Sequence, residues 1–215
     1  MKNKKYSALH IIMTILPLIV TLLILPKLPD QIPTHYGFTG QADGWGSKYE
    51  SLVLPIIIIL IGLLIPFLSA LDPKYEANAK SSRALNYGML FIFNILTYLF
   101  LYSGLNNIEN LYSIKFYHLL SSSLCILVVV IGNYLPKCKQ NNIIGFRVSW
   151  TLENEQVWYM THRFCGKVWM IGGIILLPIC IFAPSYYSFG IILVGLAILT
   201  IIPLIYSYKI YKKLS

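Results

Sequence analysis

The sequence predicts an all-α integral membrane protein: a six-helix transmembrane bundle with both termini cytoplasmic, a shaped external first loop, and a cytoplasmic helical loop between spans four and five. Three observations carry that reading. Of 215 residues, 57% are hydrophobic and only 12% charged, with a mean hydropathy of +0.68, whereas soluble domains are about one quarter charged. Several uncharged stretches approach or exceed the roughly 18 residues that mark a bilayer-spanning helix, so lipid must bury them. Fourteen of the seventeen Lys and Arg residues fall on one side of the predicted crossings, the asymmetry that the positive-inside rule describes.

The predicted spans are 8–25, 51–71, 84–104, 116–135, 168–183 and 186–206. The first follows Lys2, Lys4 and Lys5 like a signal peptide, but no small-x-small cleavage site closes it, so it reads as an uncleaved span. Lys74, Lys80 and Arg83 mark the second loop as cytoplasmic, and five basic residues mark the fourth; Lys27, Lys48 and Lys115 alone lie outside. Tyrosines at span ends, among them Tyr6, Tyr186, Tyr187, Tyr206, Tyr208 and Tyr211, fit interfacial anchoring. Pro17, Pro55, Pro66, Pro178 and Pro203 lie inside spans. Each frees a backbone carbonyl that a neighbouring helix must re-satisfy, which predicts kinked, closely packed helices. Two membrane modules are expected: residues 1–110, with spans one to three and external loop 27–50, and residues 111–215, with spans four to six and cytoplasmic loop 136–167.

Composition also excludes function classes. The formal charge of +9 sits in short loops beside apolar spans, so it encodes topology and not direct nucleic-acid binding. Cys125 and Cys180 lie within spans, and Cys138 and Cys165 flank the long loop, without C-x-x-C or His spacing. They read as buried thiols, with no disulfide framework, no metal and no cofactor. Asn86, Asn94, Asn133, His118 and Ser121 to Ser123 read as hydrogen-bond partners between helices in preference to a transport pathway.

Two loops are too specific to be linkers. In the external loop the prolines and glycines from Pro29 to Gly46 dictate a series of turns instead of a helix. Such a loop presents Pro33, His35, Gly40, Asp43 and Lys48, with Trp45, to an external ligand, or else folds down to seal the bundle. The internal loop, residues 132–167, concentrates polar and aromatic groups. Thr151 stands where an N-cap would open a cytoplasmic helix of about three turns, with Glu153 and Glu155 in its first turn. Glu155, Trp158 and His162 then share one face, and Val157, Met160 and Phe164 another, so that one stripe packs and the other binds. In the competing reading Trp150, Trp158 and Trp169 are headgroup anchors, while Arg147 and Arg163 meet lipid phosphates or helix C-terminal carbonyls.

These loops resemble the SdpI-type family of bacterial membrane proteins, named after an immunity protein that protects cells from a secreted sporulation-delay toxin. The internal signature is similar through Gly132, Asn133, Pro136, Lys137, Asn141, Gly145, Arg147, Trp150, Thr151, Leu152, Glu155, Val157, Trp158, Thr161, His162, Arg163, Gly166 and Lys167. The external loop resembles the small N-terminal module often found in that family, through Leu28, Pro29, Ile32, Pro33, His35, Gly40, Asp43, Ser47 and Lys48. Val148 and Ser149 stand where the family usually shows Thr-Pro. The resemblance implies a multi-pass protein of the bacterial cell membrane giving resistance to a secreted antimicrobial peptide toxin. In the best-known member it also implies a signalling receptor that sequesters a soluble repressor. A small transporter or channel is the alternative. An enzyme is not expected, because His162 and Glu155 lack a nucleophile or metal to work with.

Overall fold

The computed structural model describes residues 7–37, 40–71 and 75–214. Lys2, Lys4, Lys5, Tyr6 and Lys74 therefore lie outside the described residues. Among the described residues seven α-helices and two strands follow in order, joined in places by short 3-10 turns: α1 (Ala8–Ile24), β1 (Gln31–Tyr36), β2 (Ala42–Ser47), α2 (Val53–Leu71), α3 (Tyr75–Leu105), α4 (Phe116–Tyr134), α5 (Ser149–Glu153), α6 (Glu155–Phe182) and α7 (Ser185–Leu214). Six of these helices are long and apolar enough to cross a bilayer. Large apolar side chains such as Ile11, Leu23, Leu63, Ile174 and Val194 point outward, which is the surface lipid solvates.

α1 packs on α2 and α3, while α4, α6 and α7 pack together, with α3 against α4 joining the two groups. The in-helix prolines explain much of this packing. A proline removes the N–H that would bond the carbonyl four residues earlier. Pro17 thus frees the Met13 carbonyl, which accepts from Asn94 Nδ2 of α3 at 2.9 Å. Pro66 frees the Gly62 carbonyl, 3.0 Å from His10 Nε2 of α1, and Pro203 frees the Leu199 carbonyl, which accepts from Trp169 Nε1 of α6 at 2.9 Å. Three freed carbonyls are therefore taken up by side chains of neighbouring helices. Asn86, bonded to the Ile61 carbonyl, and His118, bonded to the Ala183 carbonyl, serve the same kind of inter-element hydrogen bond.

Two expectations are corrected. The separate cytoplasmic helix and the fifth span are one continuous helix, α6, whose 28 residues make it about 42 Å long at 1.5 Å per residue, more than a hydrocarbon core of roughly 30 Å needs. Its N-cap is Asn154, which accepts from the Gln156 and Val157 N–H groups. Thr151 sits instead inside the short α5. The external loop, in turn, is not only turns: β1 and β2 form an antiparallel hairpin, irregular on either side of His35.

The hairpin is fastened at both ends. Leu28 and Ile32 bury against Leu101 of α3. At the far end the Ala42 N–H donates to the Glu109 carbonyl at 2.8 Å and the Leu111 N–H to the Gly40 carbonyl at 2.9 Å, so the hairpin tip is stitched to the link between α3 and α4. Gly40 has φ +69° with the Tyr112 ring closing on it, a position where any other residue is strained.

Candidate functional site: the loop knot on α6

The chain between α4 and α6 folds into a compact knot around Trp158 and His162. Both are sealed, at 1% and 0% exposure, and their rings stack with centroids 4.0 Å apart. Trp158 Nε1 donates to the Cys138 carbonyl at 2.9 Å. His162 Nε2 accepts the Phe146 N–H at 2.9 Å, and Nδ1 lies 2.8 Å from the Trp158 carbonyl. The imidazole is therefore the Nδ1-protonated tautomer, fixed by its partners. Gly145 runs over this pair with φ +116°, and a Cβ there would sit 2.5 Å from His162 Nε2 and 3.1 Å from the Trp158 ring, so the loop approaches this closely only because residue 145 has no side chain.

Shorter bonds fix the rest of the loop. Asn141 is buried; its Oδ1 accepts the Ile143 and Ile144 N–H groups, and its Nδ2 donates to the Lys139 and Ile144 carbonyls. Thr151, fully buried, accepts the Val148 N–H at 3.1 Å and lies 3.0 Å from the Phe146 carbonyl. Gln140 Nε2 donates to the Thr151 and Leu152 carbonyls, satisfying groups that the short α5 leaves open. Burial pushes the Cys138 thiol above its ordinary pKa because the thiolate would lose its solvation.

Sequence-predicted residues thus separate into three groups. Asn141, Gly145, Thr151, Trp158 and His162 converge in the knot. Pro136 packs on α6, where a Cβ at Gly166 would meet it at 2.5 Å, and Trp150 reaches α7, donating to Ser207 Oγ at 3.0 Å beside Tyr208 and Tyr211. Asn133, Arg147, Glu155 and Arg163 are exposed. Asn133 accepts from Lys137, Arg163 reaches the Tyr159 hydroxyl, and Arg147 has no side-chain partner among the described residues. The expectation that Glu155, Trp158 and His162 form one presenting face is corrected: the face turns inward after its first residue. Nor is Trp158 a headgroup anchor, since its ring is enclosed by protein.

At the opposite end the external candidates do not converge. His35 Nδ1 contacts Asp43 Oδ1 at the exposed hairpin surface. Lys48 Nζ donates to Asp30 at 2.8 Å and holds that carboxyl below its ordinary pKa. Pro33 is buried beside a cavity of about 260 Å³ under the hairpin. Among the described residues no group of three or more His, Cys, Asp or Glu side chains could hold a metal.

Sequence reasoning missed Asn78, whose Oδ1 accepts the Lys139 N–H at 2.7 Å, and Ser207, the partner of Trp150. It also missed His10 as a buried imidazole. A lone histidine among apolar residues in the first span was the available signal for His10; nothing local marks Asn78 or Ser207.

Comparison with known proteins places this geometry. The SdpI/YfhL protein family matches residues 137–207, which contain the knot, α6 and most of α7. A domain of unknown function, DUF1648, matches residues 12–59, spanning α1, the hairpin and the start of α2. "Immunity protein SdpI" of Bacillus subtilis (strain 168) is 29% identical over 217 residues, covering 98% of each chain. The chain is similar to the SdpI/YfhL family through the knot, α6 and most of α7, and to Immunity protein SdpI over nearly its whole length. It is thus a multi-pass bacterial membrane protein, and the SdpI region supplies every residue of the knot. An uncharacterized protein of Archaeoglobus fulgidus is 33% identical over 69 residues, 32% of this chain and 38% of that one. No solved structure matches the chain.

Proposed function

We propose that this chain is an immunity protein that protects a bacterial cell against a secreted antimicrobial peptide, with the hairpin end outside and the knot end in the cytoplasm. The observation that carries the reading is the similarity to Immunity protein SdpI over 98% of both chains, which extends through hairpin and knot alike. The orientation rests on the fourteen of seventeen Lys and Arg residues that the sequence puts in the tails and even-numbered loops.

The geometry supports binding and coupling, not catalysis. Both His162 ring nitrogens are engaged and Glu155 is exposed apart from it, so no base is poised on a substrate. Three of the in-span polar groups that transport would draw on, Asn86 Nδ2, Asn94 Nδ2 and His118 Nε2, are engaged with backbone carbonyls of other elements. The rigid knot displays Arg147, Glu155 and Arg163 at its surface, a rim suited to a soluble partner such as a repressor.

Survival of a toxin-sensitive strain expressing the chain, challenged with secreted peptide toxins, tests the reading. Wild type should protect. An Arg147→Ala, Arg163→Ala variant at equal membrane level should not, since both side chains are exposed and their loss leaves the fold intact. Failure of wild type to protect, or full protection by the double variant, would refute the assignment.

A further inference from the structure

Beneath the hairpin, at the start of α2, lies a partly open cavity of about 260 Å³. Leu28, Ile32 and Leu101 form its buried wall, Phe100 adds an aromatic side, and Ser51 and Leu54 bring in the start of α2. The Thr97 hydroxyl, which also lines it, is already bonded to the Phe93 carbonyl at 2.9 Å, and Ser51 Oγ is bonded to the Lys48 carbonyl at 2.6 Å. The cavity walls are otherwise mostly apolar and suit an apolar guest; a cavity of about 150 Å³ is room enough for benzene. The roof is preformed, because the hairpin is stitched to the α3–α4 link at its tip.

The rim adds a charge. Glu50 lines the cavity, is exposed, and accepts the Ser47 N–H. No Lys or Arg among the described residues pairs with it, and the neighbouring Lys48 is engaged by Asp30. An apolar hole beside an uncompensated carboxylate is complementary to one ligand chemistry, a large apolar side chain next to a cation. We propose that the cavity is the seat of such a side chain from a hydrophobic, cationic peptide arriving at the membrane surface, with Glu50 meeting the cation. That the occupant is a peptide rests on the immunity reading; the apolar-plus-cation chemistry rests on the cavity itself.

The test uses the full chain in phosphatidylcholine nanodiscs with Ser51→Cys as reporter, since Cys125, Cys138, Cys165 and Cys180 are all buried and label slowly. The probe is a short amidated peptide of Leu, Phe and Lys, compared with a control carrying glutamate for lysine. The lysine peptide should slow thiol labelling about tenfold at saturation, and Glu50→Gln should weaken its apparent affinity up to about fivefold, the range of an exposed ion pair. Thr97→Phe and, in case that overpacks the wall, Leu54→Trp at the mouth should each abolish the protection. Absence of protection, equal protection by the glutamate peptide, or protection that survives both filling variants would overturn the proposal; slow labelling that no peptide changes would mean a lipid chain occupies the cavity and would overturn it too. Because labelling is scored without a toxin, a chain that binds the peptide yet fails the survival assay loses the immunity reading and keeps this site. One that protects cells without binding loses this site alone.

Discussion

Replacing Gly145 with alanine probes the knot at its tightest point. The new Cβ would lie 2.5 Å from His162 Nε2 and 3.1 Å from the Trp158 ring, at a φ of +116° that L side chains rarely adopt. Backbone strain of this kind costs about 1–3 kcal/mol. Moving the imidazole strips the Phe146 N–H of its acceptor, a further cost of about 1–3 kcal/mol. The two effects are independent in origin, so the expected loss is about 2–6 kcal/mol, a large share of the margin by which proteins are stable. Denaturant unfolding in a fixed micelle or nanodisc, followed by tryptophan fluorescence, reads this loss through the stacked Trp158 itself. Arg147→Ala, exposed and without a side-chain partner, is the control and should change stability by no more than about 0.5 kcal/mol. A loss below about 1 kcal/mol for Gly145→Ala would show that the loop can lift away from α6, and the account of the knot as a rigid unit would be wrong.

Two further perturbations address the bundle and the loop. If Asn94 exists to satisfy the carbonyl that Pro17 frees, Asn94→Leu should cost about 0.6–1.7 kcal/mol in the native chain and clearly less in a Pro17→Ala background, where the helix regains its own bond. Equal costs in a double-mutant cycle would contradict the pairing. For Cys138 the sign follows from its raised pKa: the folded state keeps the proton to higher pH than the unfolded chain, so its contribution is complete below the ordinary thiol pKa of about 8.5 and is lost as pH rises through it. Unfolding free energy should therefore fall more steeply above about pH 8.5 in wild type than in Cys138→Ala; parallel declines would remove burial of this thiol as the cause.

Much of the knot is legible in the sequence. Thr151, Trp158 and His162 stand out from the helix-start and helix-face patterns, and Asn141 and Gly145 through the resemblance to the SdpI-type family. What they do was less legible. Periodicity placed Glu155, Trp158 and His162 on one face but could not say which way that face points. Thr151 carried an N-cap signal that Asn154 carries equally well, and the difference lies in a turn of α5 that only the loop's own hydrogen bonds impose. The hairpin escaped because Pro33, Gly37, Gly44 and Gly46 weaken any strand pattern, and its pairing is completed by backbone bonds to Glu109 and Leu111, some seventy residues away in sequence.

By itself the sequence determined the class of solvent and the number of crossings, since these follow from apolar length, a local property of the chain. It also determined that Pro17, Pro66 and Pro203 would each leave a carbonyl unpaired. Only the tertiary structure decided which side chain answers each one, that Trp158 and His162 are walled in while Arg147 stays free, and that a cavity opens under the hairpin. Those outcomes depend on distances between segments remote in sequence, set by how whole helices pack.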